Sequence, residues 1–154
     1  MKLINKHKNV ELIISEKLLA HLGEYGVKHY PNESGGFLIG CYSNNLKQLH
    51  ISDYILPKRY NSIPCLFERS IDGIKEIFEK IFDRKKQYYV GEWHTHPNGS
   101  SMYSQTDLQA MIQIANHDTV NIENPILLIV SIDKNKFKDF SIYLYDKKGL
   151  YKYE

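Results

Sequence analysis

The chain has 154 residues, 42% of them apolar and 25% charged, about one domain's length with enough apolar material for a packed soluble core. Its formal net charge of +2 is too small for the footprint of a nucleic-acid binder, and the short basic clusters at Lys6–Lys8 and Arg84–Lys86 read as a solvated terminus and a helix end. No apolar run reaches the roughly 20 residues that span a bilayer, and the opening MKLINKHKNVELIIS lacks an apolar signal region with a cleavage site, so a cytoplasmic protein without membrane contact is expected.

Val10 to Ile14 reads as a short strand. Ser15 is placed to cap a helix running to about Tyr30, with Leu18, Leu19, Leu22 and Tyr25 on its inner face. Gly23 and Gly26 weaken that helix and Pro31 ends it. Gly35-Gly36 turns into a buried strand at Phe37-Leu38-Ile39, Asn44-Asn45 makes a hairpin turn, and Leu46 to Leu56 returns. A polar loop, Lys58 to Pro64, leads to a short strand at Cys65-Leu66-Phe67. Cys41 and Cys65 lack metal-ligand spacing and are expected as buried thiols.

Ser70 opens a second helix on which Ile71, Ile74, Ile77, Phe78, Ile81 and Phe82 recur at three-and-four spacing. Tyr88 to His94 is a strand, and Ser104 to about His117 a third helix with Leu108, Met111, Ile112 and Ala115 inward. Pro125 to Ile132 is an apolar run suited to a central strand, Phe140 to Tyr145 alternates as a strand, and Leu150 to Tyr153 adds an edge. Without repeats or linkers, the chain is expected to be one α/β (α+β) domain over residues 1–154, a curved mixed sheet flanked by helices.

Chemistry concentrates in GEWHTHPNGSSMYSQTD, residues 91–107. Residues two apart on a strand share a face about 6.5–7 Å apart, so His94 and His96 can converge on one ion. Residues three apart at a helix start also share a face, which joins Ser104 to Asp107. Two imidazoles, one carboxylate and an open fourth position make a catalytic zinc arrangement. Ser104 and Asp107 also stand close to a capping box, and the two readings are compatible. Hydrolysis at such a site needs a carboxylate base, and the chain has no HExxH. Glu33, ahead of Ser34-Gly35-Gly36 where the backbone can approach closely, is the best candidate, although taken alone it reads as a solvated turn residue.

Together, Glu33, His94-Thr95-His96-Pro97, Ser104 and Asp107 form the pattern E…HxHP…SxxD, which resembles the JAMM (MPN+) metalloprotease motif. ESGGFLIG around Glu33 and the Tyr89-to-Trp93 lead-in resemble bacterial members, and the element order fits from about Leu12 to Tyr145. The resemblance implies a cytidine-deaminase-like MPN domain and a zinc isopeptidase. By position, His94, His96 and Asp107 would bind Zn2+ with a water, Glu33 would act as base, and Ser104 would help stabilise the oxyanion. Glu92 shares the histidine face and is expected to orient an imidazole or simply to line the cleft, while Trp93 points the other way into the core.

The implied substrate is a protein with a ubiquitin-like or extended C-terminal tail. The GEWHTHP lead-in resembles the deconjugating peptidases of CBASS anti-phage operons, which implies a nucleotidyltransferase–target conjugate as partner. A peptidase that trims a ubiquitin-like sulfur-carrier protein uses the same site, and a non-catalytic interaction module braced by metal is the reading from another class. A binuclear phosphoesterase or metallo-β-lactamase wants HxHxDH, and Pro97-Asn98-Gly99 follows His96 instead.

Overall fold

Eleven elements can be traced in the computed structural model, which describes residues 1–57, 74–118 and 120–154. They are β1 (Lys2–Asn5), β2 (Val10–Ile14), α1 (Glu16–His29), β3 (Gly35–Tyr42), β4 (Gln48–Ile55), α2 (Ile74–Lys85), β5 (Tyr88–Pro97), α3 (Gln105–Ala115), β6 (Ile126–Ile132), β7 (Phe137–Asp146) and β8 (Gly149–Lys152). The eight strands form one sheet in the order β1-β2-β4-β3-β5-β6-β7-β8. The β2–β4 and β5–β6 pairs are parallel and the others antiparallel, so the sheet is mixed. It curves until its ends nearly meet. Ile4 and Glu154 exchange backbone hydrogen bonds of 2.7 and 3.0 Å, and the Asn5 amide donates to the Tyr151 carbonyl at 2.8 Å.

Each face of the sheet has its own cover. On one face Leu18, Leu19 and Leu22 of α1 pack with Leu38, Val90, Trp93, Leu128, Val130 and Ile142. On the other, Met111 of α3 packs on Leu127, Ile129, Tyr143 and Tyr145, with Leu108, Ile112 and Ala115 beside it. All seven residues of β6 are buried because helices cover both of its sides. Ser15 caps α1 by accepting the Leu18 N–H at 3.1 Å. Gly23 and Gly26, costly to a helix in isolation, let α1 lie against the sheet. A Cβ at Gly26 would sit 2.6 Å from Thr95 Cγ2, and one at Gly23 2.8 Å from Phe137 Cβ.

One irregularity in β5 sets the side of the sheet on which the chemistry lies. Leu38 pairs with Gly91, but Ile39 pairs with Tyr89, which leaves Val90 as an extra residue in β5. Val90 and Trp93, three apart, therefore face the same α1-side core. Glu92, His94 and His96 turn to the α3 side, in register with Leu127, Ile129 and Ser131 of β6. Gly91 sits at φ +157°, and a Cβ there would lie 2.1 Å from the Ile126 carbonyl oxygen.

Several details differ from the sequence-based expectation. The basic opening of the chain forms β1, whose four residues are too short and polar for a clear alternation. Leu46 belongs to the turn before β4, with φ 57° and mostly exposed. Cys41 is half-buried near the end of β3, and Cys65 lies outside the described residues. Also outside them are the expected loop at 58–64, the strand at 65–67 and the helix start at Ser70 and Ile71. Phe82 of α2 turns outward, 48% exposed, with the Lys86 ammonium 5.0 Å from its ring centre. The apolar stripe of α2 is wider than its contact with the sheet, which runs through Phe78 edge-on to Phe37.

Gly91→Ala should cost roughly 3 kcal/mol, from backbone strain and overpacking against β6, read as a lowered midpoint in chemical denaturation. A second test concerns the join of the sheet's ends. Burial opposes ionisation of the Asp146 carboxyl, but hydrogen bonds from His7 (2.8 Å), Lys8 (3.1 Å) and Asn124 (3.3 Å) outweigh it and hold its pKa below the usual value. A depressed carboxylate stabilises the fold above its unfolded pKa of about 3.9 and loses that contribution as pH falls through the folded value. Asp146→Asn should therefore cost on the order of 1 kcal/mol at pH 7. Its deficit in thermal melts should shrink below about pH 4.

Candidate metal centre

Strand β5 extends past the expected end at His94 through Pro97, so both histidines stand on regular extended backbone. Their α3-facing side chains meet the first turn of α3. The His94 and His96 Nε2 atoms are 3.0 Å apart, His94 Nε2 is 3.1 Å from Asp107 Oδ1, and His96 Nε2 is 3.6 Å from Asp107 Oδ2. Ligand atoms around a tetrahedral zinc lie about 3.3 Å from one another, given bonds near 2.0–2.1 Å. One ligand atom from each of the three residues lies within 4.8 Å of the others, close enough to be gathered on one metal ion. They are also the right chemical set, two imidazole nitrogens and one carboxylate oxygen.

The ring orientation suits ligation as well. The His96 Nδ1–H donates to the Ser100 carbonyl at 2.9 Å, which turns Nε2 toward the site. Burial opposes the charge on Asp107, yet hydrogen bonds from His94 and His96, the charge of His94 and the Ser104 N–H keep its carboxyl well below the usual carboxylate range. Burial also works against a proton on His96, but Asp107, the Ser100 carbonyl and the charge of Glu33 together raise its pKa.

Ser104 and Asp107 form a full capping box at the start of α3. The Ser104 backbone N–H and hydroxyl both donate to Asp107 Oδ2, at 2.6 and 2.8 Å, and the Ser104 hydroxyl accepts the Asp107 N–H at 3.2 Å. Cap and donor are the same carboxylate. Its Oδ2 serves the helix while Oδ1 faces His94.

Glu33 reaches the site from the other side of β5. The Ser34 N–H donates to the Thr95 hydroxyl at 2.9 Å, and the Thr95 N–H donates to the Ser34 carbonyl at 2.7 Å. This brace joins two residues 61 apart in sequence and sets half-buried Glu33 beside the end of β5. Glu33, Glu92, His94 and Asp107 line one pocket whose other wall is Ala110, Met111, Ile114 and Leu127. Glu92 is 2% exposed and accepts the Tyr89 hydroxyl at 2.7 Å. Trp93 is fully buried on the opposite face, edge-on to Tyr25 and Tyr54. Sequence reasoning passed over Ser34, Thr95, Ser100 and Ser101, since hydroxyls in polar stretches carry no periodic signal and the partners of all but Ser100 are distant in the chain.

Residues 15–143 match the family described as prokaryotic homologs of the JAB domain. The chain belongs to the prokaryotic JAB family. Among curated relatives of this JAB chain is a protein of Enterobacter hormaechei subsp. hoffmannii named CD-NTase/cGAS isopeptidase. It is 29% identical over 123 residues, which cover 79% of this chain and 68% of the relative. Two solution structures share the fold. A Desulfitobacterium hafniense protein superposes with a TM-score of 0.61 at 15% identity, covering 92% of this chain and 88% of its own. A Salinibacter ruber protein gives 0.56 at 17% identity, covering 90% and 83%. Among the described residues of the JAB chain, no helix is long and apolar enough to cross a membrane.

Elemental analysis should find about one zinc per chain in the native protein, the stoichiometry of a three-ligand mononuclear site. His96→Ala and Asp107→Ala should each lose it. Asp107→Ala should also melt lower than His96→Ala, by the equivalent of about 0.5–1 kcal/mol, because it alone removes the carboxylate half of the α3 capping box.

Proposed function

We propose that this JAB chain is a zinc-dependent isopeptidase that hydrolyses the bond after the C-terminal tail of a ubiquitin-like or similarly conjugated protein. Its proposed setting is a bacterial CBASS-type anti-phage system, with a nucleotidyltransferase–target conjugate as substrate. The observation that carries the reading is the convergence of His94, His96 and Asp107 at zinc-ligand spacing, with the carboxylate of Glu33 in the same pocket. The name of the Enterobacter relative supports the choice of conjugate.

In this reading the two imidazole Nε2 atoms and a carboxylate oxygen of Asp107 would hold the metal. Zinc bound there would supply a Lewis acid, to polarise the scissile carbonyl and to lower the pKa of the attacking water. Glu33 takes the proton from that water and hands it to the departing amine as the carbon–nitrogen bond breaks. The Ser34–Thr95 brace, one residue along from Glu33, supports this role by tying the chain there to β5. The Ser104 hydroxyl turns its hydrogen from Asp107 to the substrate oxygen as that oxygen gains charge. Ala110, Met111, Ile114 and Leu127 give the pocket an apolar wall that limits water around the carboxylates.

The test is cleavage of a nucleotidyltransferase conjugate, or of a fusion carrying its C-terminal tail, by protein of measured zinc content. Glu33→Ala should keep its zinc and lose about 10²–10⁴-fold in kcat, the range for removal of a general base. Near-native turnover by Glu33→Ala, with Glu92→Ala inactive, would move the base to Glu92. A native protein that carries zinc but leaves every tail-linked substrate intact would overturn the isopeptidase reading.

A further inference from the structure

The loop between the two halves of the site dips into the protein at one residue. From Pro97 to Thr106 the chain is exposed or half-exposed except at Ser101, which is 5% exposed. A serine buried in a surface loop needs partners, and this one has three, all on β7. Its hydroxyl lies 2.9 Å from Asp139 Oδ2, to which it donates, and 2.9 Å from Ser141 Oγ. Its carbonyl accepts the Tyr143 hydroxyl at 3.1 Å. Asp139, Ser141 and Tyr143 alternate along β7 and so present one face to the loop.

The residue before this anchor is the one that holds His96. Ser100 is exposed, yet its carbonyl is the acceptor for His96 Nδ1–H. Nothing in β5 itself determines how the imidazole of its penultimate residue is turned about its ring bond. The acceptor decides which nitrogen is protonated and where the other points, and so is worth as much to a metal site as the ligand's own position. An exposed peptide can do this only if a neighbour fixes it.

We infer that Ser101, seated on Asp139, Ser141 and Tyr143, is a positioning residue for the ligand His96, acting through the Ser100 carbonyl. Two further bonds hold the loop upstream of it. The Ser131 hydroxyl donates to the Gly99 carbonyl at 2.6 Å, and the Asn98 N–H donates to the Ile132 carbonyl at 2.8 Å. These fix where the loop leaves β5, whereas Ser101 fixes the orientation of the peptide next to it. The inference rests on the reading of His94, His96 and Asp107 as metal ligands and needs no assumption about substrate.

The experiment is zinc affinity by competition with a chromophoric chelator, on the full chain, for the native protein, Ser101→Ala, Tyr143→Phe and the exposed-loop control Met102→Ala. Melting of each metal-free protein is recorded beside it. Ser101→Ala should weaken zinc by about 10–100-fold, the usual effect of losing an outer-shell partner. Tyr143→Phe, which removes a hydroxyl without changing the ring's shape, should weaken it in the same direction by a smaller factor, and Met102→Ala should bind as the native protein does. Cobalt-substituted Ser101→Ala should also show a changed visible spectrum, since the ligand geometry shifts. Affinities within twofold of native in both Ser101→Ala and Tyr143→Phe, with only the melting temperature lowered, would make the anchor purely structural and overturn the inference. If Ser101→Ala does not fold, Tyr143→Phe decides alone. A native protein that binds no zinc would instead bring down the metal-site reading, and this inference with it.

Discussion

A side chain at position 91 would collide with the Ile126 carbonyl, 2.1 Å from where its Cβ would stand. The extra residue beside it, Val90, reverses which side of the sheet the rest of the strand presents. Upstream and downstream apolar residues, Val90 and Trp93, go to the same α1-side core, and the polar series Glu92, His94, His96 is delivered to α3. On a regular strand the two histidines would share the face of Val90 and be packed among leucines under α1. The bulge therefore precedes everything else about the site. It must exist before the ligands can meet, before the capping box of α3 can serve as a donor, and before Glu33 has anything to face.

Around that reversal the polar groups are used more than once. Asp107 caps α3 and faces two imidazoles with one carboxylate. Thr95 packs its methyl against Gly26 of α1 and gives its hydroxyl to Ser34. A buried carboxylate beside one buried and one half-buried ring is a poor choice for stability alone, because desolvation opposes the charge it must carry. The hydrogen bonds from Ser104 and the histidines offset part of that cost, and a cation among the three donors would offset the rest. Such concentration of polar groups, in a sheet whose other interior positions are mainly apolar, is expected where selection has acted on chemistry.

Much was legible in the chain. The amphipathic run after Ser15, the continuous apolar run before Asp133 and the two-residue spacing of the histidines depend only on local periods of 3.6 and 2, and the structure keeps all three. Local rules misjudged Gly23 and Gly26, which read as weak points of a helix and are in fact its contact surface with β5 and β7. Phe82 was misjudged in the opposite sense, since an apolar residue at helical spacing is buried only if something is there to cover it. The strand at Lys2–Asn5 was hard to read because it is four residues long and is held by pairing, on one side with β2 and on the other through Ile4 with Glu154 at the far end of the chain.

The sequence by itself determined the residue types that can bind a metal, their spacing along one strand and one helix turn, and the elements that carry them, because each of these is set by neighbours a few residues apart. Only the tertiary structure decided that the two histidines face α3 rather than α1, since that depends on how closely β5 approaches β6 at Gly91. Only it decided that Glu33 stands beside them, through a brace between residues 34 and 95, and that the loop carrying the Ser100 carbonyl to His96 is seated on β7 at Ser101. Strand register and face are properties of paired backbones distant in sequence, and no local period encodes them.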